Sequence, residues 1–234
     1  MAGTLYGLGI GPGDPDLITL KALNILQAAP VIAYPAPVGK SSLARSIVEK
    51  HLPGGQDEIK IDTPMIPGDF PANDVYDQYS EEIAQKLAEG KDVAVLCEGD
   101  PFFFGSFMYI YARLADRFET RVVPGVSSAM ASCCQLGVPI TSRADVLTIL
   151  PAPLPSEDLL ERLQLCDAAI IMKVGRHFAK VRDVIGTLGL NEHAYYIEHA
   201  TMETQKMMSL DEATFEKAPY FSMIIVHKRG EAWK

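Results

Sequence analysis

Two spacings of apolar residues alternate along this chain. Short apolar runs at 4–9, 31–34, 92–97 and 120–123 read as buried strands, and 146–150, 168–172, 195–198 and 221–226 repeat the pattern. Between them the apolar period lengthens to that of a helix. Thr19 is placed to cap a helix with Leu20, Leu23 and Leu26 on one face, and Ser42 to cap one carrying Leu43 and Ile47. Residues 73–89 carry Tyr76, Tyr79, Ile83 and Leu87 on one stripe, and Gly90 stops that helix. Further helices are expected at 127–136, at 157–165 with Ser156 as cap, at 178–188 and, briefly, at Asp211. Strand, helix, strand at this spacing predicts parallel βαβ units and an α/β fold. Pro35 and Pro37 are expected to close the second strand. Gly137-Val138-Pro139-Ile140-Thr141 reads as a hinge, which divides the chain into an N-terminal α/β domain at 1–139 and a C-terminal one at 140–234. Residues 62–74 form a Pro-rich connection of about 12 residues, long enough for a lid or binding loop.

Composition narrows the function classes. The chain has 234 residues, 48% hydrophobic and 22% charged, which is ordinary for a globular protein. With 21 basic against 30 acidic side chains the net charge is −9, which argues against a nucleic-acid partner. No apolar stretch reaches the roughly 18–20 residues of a bilayer span, and the first residues lack a secretion signal, so a cytoplasmic protein with no membrane partner is expected. Cys97, Cys133, Cys134 and Cys166 form no C-x-x-C pair and are expected to be buried thiols in a reducing compartment. No Cys/His cluster has metal-ligand spacing, so no metal site is expected.

The chemistry concentrates in three loops, each leaving the end of a strand. The first is Gly7-Leu8-Gly9-Ile10-Gly11-Pro12-Gly13-Asp14-Pro15. Gly7 and Gly9 match the start of a dinucleotide fingerprint, but Pro12 fills its third glycine slot. The second strand ends at Tyr34-Pro35 without the acid that would hold a ribose. Both features count against the competing reading, an oxidoreductase that binds a nicotinamide or flavin dinucleotide. The second loop is Glu98-Gly99-Asp100-Pro101-Phe102-Phe103-Phe104-Gly105-Ser106, and the third is Pro124-Gly125-Val126-Ser127-Ser128. Loops at the carboxyl ends of parallel strands are where open α/β sheets bind ligands. The three phenylalanines suit either an apolar ligand wall or packing beneath the loop. The serines suit either helix capping or a ligand's polar groups.

Taken in order, these loops resemble the tetrapyrrole (corrin/porphyrin) methyltransferase family. The matching residues are Gly9-Ile10-Gly11-Pro12-Gly13-Asp14-Pro15-Asp16-Leu17-Ile18-Thr19, then Gly99-Asp100-Pro101, then Pro124-Gly125-Val126-Ser127-Ser128, with Pro139-Ile140-Thr141-Ser142-Arg143 at the hinge. The resemblance implies two α/β domains of the tetrapyrrole methylase type, unlike the standard Rossmann methyltransferase. It also implies a homodimer, and S-adenosylmethionine in the cleft between domains, leaving as S-adenosylhomocysteine. Carried over by position, contacts to that cofactor fall at Pro12, Glu98, Gly99, Asp100, Phe103, Ser127, Ser128, Met172 and Ala200. The stretches from Leu96 to Tyr109 and from Tyr34 to Ala44 are most similar to the branch that methylates precorrin-2 at C20, giving precorrin-3A in cobalamin biosynthesis. Phe104 departs from that branch, where tyrosine is expected. Alternatives within the family are the cobalt-bearing counterpart of precorrin-2 and other corrinoid carbons. A non-catalytic domain that merely binds the donor is a further alternative.

A uroporphyrinoid substrate carries eight carboxylates, so a chain of net charge −9 must gather cations where it binds. Lys40, Arg45, Arg113, Arg143, Lys173, Arg176 and Lys180 are candidates, and Arg143, Arg176 and Lys40 are the expected substrate contacts. Methyl transfer needs no activated serine, cysteine or metal. It leaves a proton to be removed, for which Glu98, Asp100, His177 and His199 are the candidate bases.

Overall fold

The expected apolar runs are strands of two sheets. The structure is a computed structural model and describes residues 1–64, 73–230 and 232–233. Two units divide it, Met1–Ser127 and Ser128–Lys234.

In the first unit, β1 (Leu5–Gly9), β2 (Val31–Pro37), β3 (Asp57–Thr63), β4 (Val93–Cys97) and β5 (Thr120–Val123) make one sheet in the order β3-β2-β4-β1-β5. Every pair in it is parallel. The helices are α1 (Leu20–Ala28), α2 (Leu43–Val48), α3 (Asn73–Ala88) and α4 (Phe107–Leu114). Alternate strand residues face opposite layers. Leu8, Ile32 and Leu96 pack with Ala22 and Leu26 of α1 and Ile47 of α2. Leu5, Val31 and Val95 pack with Ile83 and Leu87 of α3 and Ile110 and Leu114 of α4.

Local chemistry sets the helix starts. Thr19 Oγ1 accepts the Ala22 N–H at 3.2 Å, and Ser42 Oγ accepts the Arg45 N–H at 3.2 Å; such caps contribute about 1 kcal/mol each. Gly90 ends α3 at φ 83°, a conformation that favours glycine. The expected face of α1 is shifted, because Leu20 in its first turn is exposed and Ala22 and Leu26 carry the burial. Pro35 and Pro37 do not end β2. Its pairing with β4 stops at Ala33, while β3 follows it to Pro37, so the missing proline N–H groups lie beyond the reach of β4. Of the connection at 62–74, Asp62 and Thr63 belong to β3 and Asn73 and Asp74 to α3. Residues 65–72, the core of the expected lid, lie outside the described residues.

The second unit holds β6 (Leu147–Pro151), β7 (Ala168–Met172), β8 (Ala194–Glu198), β9 (Lys206–Ser209) and β10 (Ser222–His227), in the order β6-β7-β10-β8-β9. Only β6 and β7 run parallel; β10 is antiparallel to both its neighbours. Its helices are α5 (Ser128–Leu136), α6 (Ser156–Leu165) and α7 (Phe178–Thr187). The core is centred on Phe178, whose ring lies 5.5 Å from that of Tyr196 and 4.5 Å from that of Phe215. The division between units falls before the expected 139/140 boundary, because α5 packs on β8 and β10 of the second sheet. Ser156 is the first residue of α6 rather than its cap, and no side chain caps that helix. The segment at Asp211 is a turn, and the preceding residues form β9 against β8. Cys97, Cys133 and Cys166 are buried, but Cys134 is exposed on the outer side of α5. All four are free thiols.

An ionic lock ties the end of β10 to the start of this unit. Asp145 takes the Ser142 N–H at 2.7 Å and Arg229 Nη2 at 2.7 and 2.9 Å. The backbone N–H of Arg229 donates to His227 Nδ1, leaving Nε2 to face Asp145 at 3.4 Å. The Ser142 N–H, followed by Arg229, holds the Asp145 carboxyl down to about 2. A depressed carboxylate stabilises the fold above its unfolded value of 3.8, and that contribution fades as pH falls toward 2. The urea midpoint of the protein should therefore drop through this acid window, and Asp145→Asn should flatten that part of the profile.

Candidate functional site

Three loops leave the carboxyl ends of the three neighbouring strands β4, β1 and β5. Gly9 lies in register with Cys97, and Leu8 with Leu96 and Val123, so the loops begin at one level. Their backbones then touch. Gly99 N–H donates to Gly11 O at 2.8 Å, Gly11 N–H returns a bond at 3.4 Å, and Ile10 N–H reaches Cys97 O at 3.1 Å. A Cβ on Gly125 would stand 2.0 Å from Gly99 O and 2.7 Å from the carbonyl carbon of Gly9, and one on Gly9 would stand 2.4 Å from the nitrogen of Gly125. Gly9, Gly99 and Gly125 therefore meet main chain against main chain. Gly7 serves another purpose: its missing side chain admits the Phe107 ring, which a Cβ would meet at 2.3 Å.

Asp100 fastens the second loop to the third. Its Oδ1 accepts the Phe102 N–H at 2.9 Å and its Oδ2 accepts the Gly125 N–H at 3.1 Å. Both oxygens thus serve backbone donors of the site, a positioning role that spacing alone does not reveal. Asp100→Ala strands both donors, at a cost of about 1–3 kcal/mol for each that stays buried. The variant should lose at least about tenfold in affinity for S-adenosylhomocysteine by calorimetry; Asp100→Asn, which keeps an acceptor oxygen, should lose less.

Glu98 lies at the mouth of β4. The backbone N–H of Ala44, in the first turn of α2, faces its carboxyl and favours the anion, but burial outweighs this and pushes the group above the ordinary carboxylate range. Cys97 is no nucleophile, because burial, with Glu98 beside it, pushes its thiol up to about 12. Pro12 is buried, and Phe103 and Ser127 are half-buried. The phenylalanine run divides. Phe102 packs on Tyr111 at 5.1 Å and on Phe107 at 6.1 Å, whereas Phe103 and Phe104 meet edge to face at 5.2 Å. Phe102 and Phe104 remain exposed, so the run does not pack beneath its loop. Phe104 has φ 54°, an uncommon conformation for a bulky side chain.

The second unit carries the other expected residues on one sheet edge. β7 and β8 both run antiparallel to β10, so Met172, which ends β7, and Ala200, which follows β8, lie at the same end of the sheet. Ser128, the first residue of α5, begins this unit. The residues around Met172 and Ala200 are strained: Lys173 has φ 56°, His199 51° and Thr201 70°. Such outliers cluster where a surrounding structure enforces them, often at ligand sites. The His199 N–H donates to Phe221 O at 2.9 Å and the Thr201 N–H to Gln205 Oε1 at 2.6 Å. Glu198 accepts from Tyr196 Oη at 2.5 Å and pairs with Lys206 at 3.0 Å, which together pull its carboxyl below the usual range against its burial. These positive-φ residues carry no sequence signal, since none is glycine or asparagine.

The cations separate into engaged and available. Arg45 forks onto Glu58 at 2.8 and 3.0 Å, and Arg113 holds Asp77 at 2.6 Å. Lys180 donates to Leu154 O, and burial lowers its ammonium. Lys40, Arg143 and Arg176 are exposed and have no ion pair among the described residues. Arg176 Nε donates to His177 Nε2 at 3.3 Å. Burial, then Lys180 and Arg176, lowers the His177 imidazole.

Comparison with known proteins bears on what this site does. The family model of tetrapyrrole (corrin/porphyrin) methylases matches residues 4–215. A precorrin-2 C(20)-methyltransferase of Sinorhizobium sp is 41% identical over 233 residues, covering 96% of this chain and 95% of that protein. A cobalt-precorrin-2 C(20)-methyltransferase of Salmonella typhimurium is 31% identical over 235 residues, 99% of both chains. Two solved structures share the fold. A cobalt precorrin-4 methyltransferase superposes with a TM-score of 0.76 at 24% identity, covering 97% of this chain and 96% of that one. A uroporphyrin-III C-methyl transferase from Thermus thermophilus, complexed with S-adenyl homocysteine, gives 0.70 at 22% identity, covering 96% and 97%.

Proposed function

The chain belongs to the tetrapyrrole methylase family, and on that premise we propose that it transfers a methyl group from S-adenosylmethionine to C20 of precorrin-2, giving precorrin-3A in cobalamin biosynthesis. The observation that carries this reading is the contact of Gly9, Gly99 and Gly125 at the ends of three adjacent strands. Main chain packed on main chain, with no side chains between, lets a nucleoside approach the backbone closely, and an added Cβ would force the loops apart. Bound there, S-adenosylmethionine supplies an electrophilic methyl group on a sulfonium.

Pro12, Glu98, Gly99, Asp100, Phe103 and Ser127 contact that donor from the first unit. Ser128, Met172 and Ala200 are its contacts in the second. The residues of the chain bind and orient the two reactants and exclude water. Charge is dispersed as sulfonium and nucleophile react, so an apolar pocket suits the step, and orientation alone is worth effective molarities of roughly 10⁵–10⁸ M. Lys40, Arg143 and Arg176 take the carboxylates of the macrocycle, and Arg forks suit that task.

The metal-free substrate is favoured over the cobalt-bearing one by the greater identity to the precorrin-2 relative. The protein acts as a homodimer in the cytoplasm. The exposed Phe102, Met108 and Tyr111 supply an apolar surface for self-association, and four free thiols suit a reducing compartment. Incubation with S-adenosylmethionine and either precorrin-2 or its cobalt form, followed by mass spectrometry and NMR, tests the reading. One methyl at C20 of the metal-free substrate is expected. Methylation of another carbon, or of the cobalt form alone, refutes the substrate assignment.

A further inference from the structure

We propose that Tyr220 and Phe221 form the seat for the conjugated face of the tetrapyrrole, with Arg176 clasping one of its carboxylates, an inference that rests on the reading above. The two aromatics immediately precede β10. Every residue of that strand is buried, yet Tyr220 and Phe221 stay 54% and 43% exposed. Their rings meet edge to face at 5.1 Å, a favoured aromatic geometry that fixes the pair while about half of each side chain remains open to a ligand.

Three segments of the second unit converge on this pair. β10 is antiparallel to β7 and β8, so its first residues lie beside the ends of those strands. Phe221 O accepts the His199 N–H at 2.9 Å, one residue before Ala200. Gly175 O accepts the Ala218 N–H at 3.0 Å, and a Cβ on Gly175 would stand 3.9 Å from Tyr220 Cα. Arg176 is the next residue along. The pair therefore lies between the turn that holds Ala200 and the loop that follows Met172, the donor contacts proposed for this sheet. Lys173, His199 and Thr201, all at positive φ, belong to the same two segments.

The charge around the pair matches a polyacid. Residues 173–180 carry Lys173, Arg176 and Lys180 and no acid, in a chain of net charge −9. Glu198, which ends β8, is already held by Tyr196 and Lys206. Arg176 is exposed; its Nε donates to His177 Nε2 at 3.3 Å, and no carboxylate pairs with it among the described residues. An exposed aromatic surface rimmed by cations suits a ligand that is conjugated and polyanionic, its ring on the aromatics and a carboxylate in the guanidinium fork. A second copy docking here about a two-fold axis would set the cationic patch against itself, and like charges disfavour that pairing.

The test uses the full chain with two probes: uroporphyrin III, a stable conjugated octacarboxylate whose binding is read from its visible absorbance, and precorrin-2 in turnover. Tyr220→Ala and Phe221→Ala should each weaken porphyrin binding and raise KM for precorrin-2 by about tenfold, the scale of one lost stacking contact. Calorimetry should give wild-type affinity for S-adenosylhomocysteine in both, and Phe221→Tyr should bind porphyrin as wild type does. Arg176→Gln should weaken porphyrin binding and flatten its salt dependence, with Arg176→Lys recovering part of the loss. Porphyrin binding that survives the two alanine substitutions together overturns the seat. So does a matching loss of S-adenosylhomocysteine affinity, which would make the pair part of the donor site. Loss of self-association in sedimentation with porphyrin binding intact also overturns it, and would make the pair an interface between copies. A wild-type chain that binds porphyrin through this pair but methylates another carbon supports the seat and refutes the C20 reading instead.

Discussion

Gly125→Ala should reduce affinity for S-adenosylhomocysteine by at least about 100-fold, the scale of loss that ångström displacements of a positioned site produce. The added Cβ would lie 2.0 Å from Gly99 O and 2.7 Å from the carbonyl carbon of Gly9. Neither obstacle is a side chain that can rotate away. The third loop must part from the other two, breaking the bond from Gly125 N–H to Asp100. Gly125 does not occupy the left-handed region, so the penalty is steric. Overpacking of this kind costs about 1–3 kcal/mol of stability. Gly54→Ala is the matched control. Gly54 has φ 82° with open space around it, so alanine there should cost about 1 kcal/mol and leave binding unchanged. Calorimetric titration of the two variants separates close approach from backbone freedom.

Phe178→Ala should destabilise the second unit by about 3–5 kcal/mol, the usual cost of removing a buried aromatic. Phe178 is fully buried at the start of α7, its ring meeting Tyr196 edge to face and Phe215 at 4.5 Å. Arg182 lies over the same ring at 5.7 Å. The cavity left by alanine cannot close without moving Tyr196, whose hydroxyl is fixed on Glu198. Urea unfolding should give a lower midpoint, and a loss under about 1 kcal/mol would mean that the core repacks.

The inner strands were legible because burial on both faces leaves an unbroken apolar run: β7 falls at the expected residues and β4 within one residue of them. Two of the edge strands, β3 and β9, were not. β3 buries only Ile59 and Ile61 between charged neighbours, and β9 exists through pairing with β8, which local pattern does not encode. Helix α4 was hidden because Ser106 before it makes no capping bond with its side chain and Phe107 reads as a continuation of the aromatic loop. The site divides in the same way. Glycine spacing exposed the three loops, but not that Gly9, Gly99 and Gly125 touch one another, nor that Asp100 ties two loops together. Arg45 and Arg113 read as substrate cations because their partners, Glu58 and Asp77, lie 13 and 36 residues away.

Titration of the wild-type chain with S-adenosylhomocysteine in a calorimeter, repeated with Gly125→Ala, tests the role of the glycine contact most directly. The expected result is a saturable site, one per chain, in wild type and none measurable in the variant. A wild-type chain that releases no binding heat and gains no thermal stability from the ligand, or a variant that binds as wild type does, would contradict it.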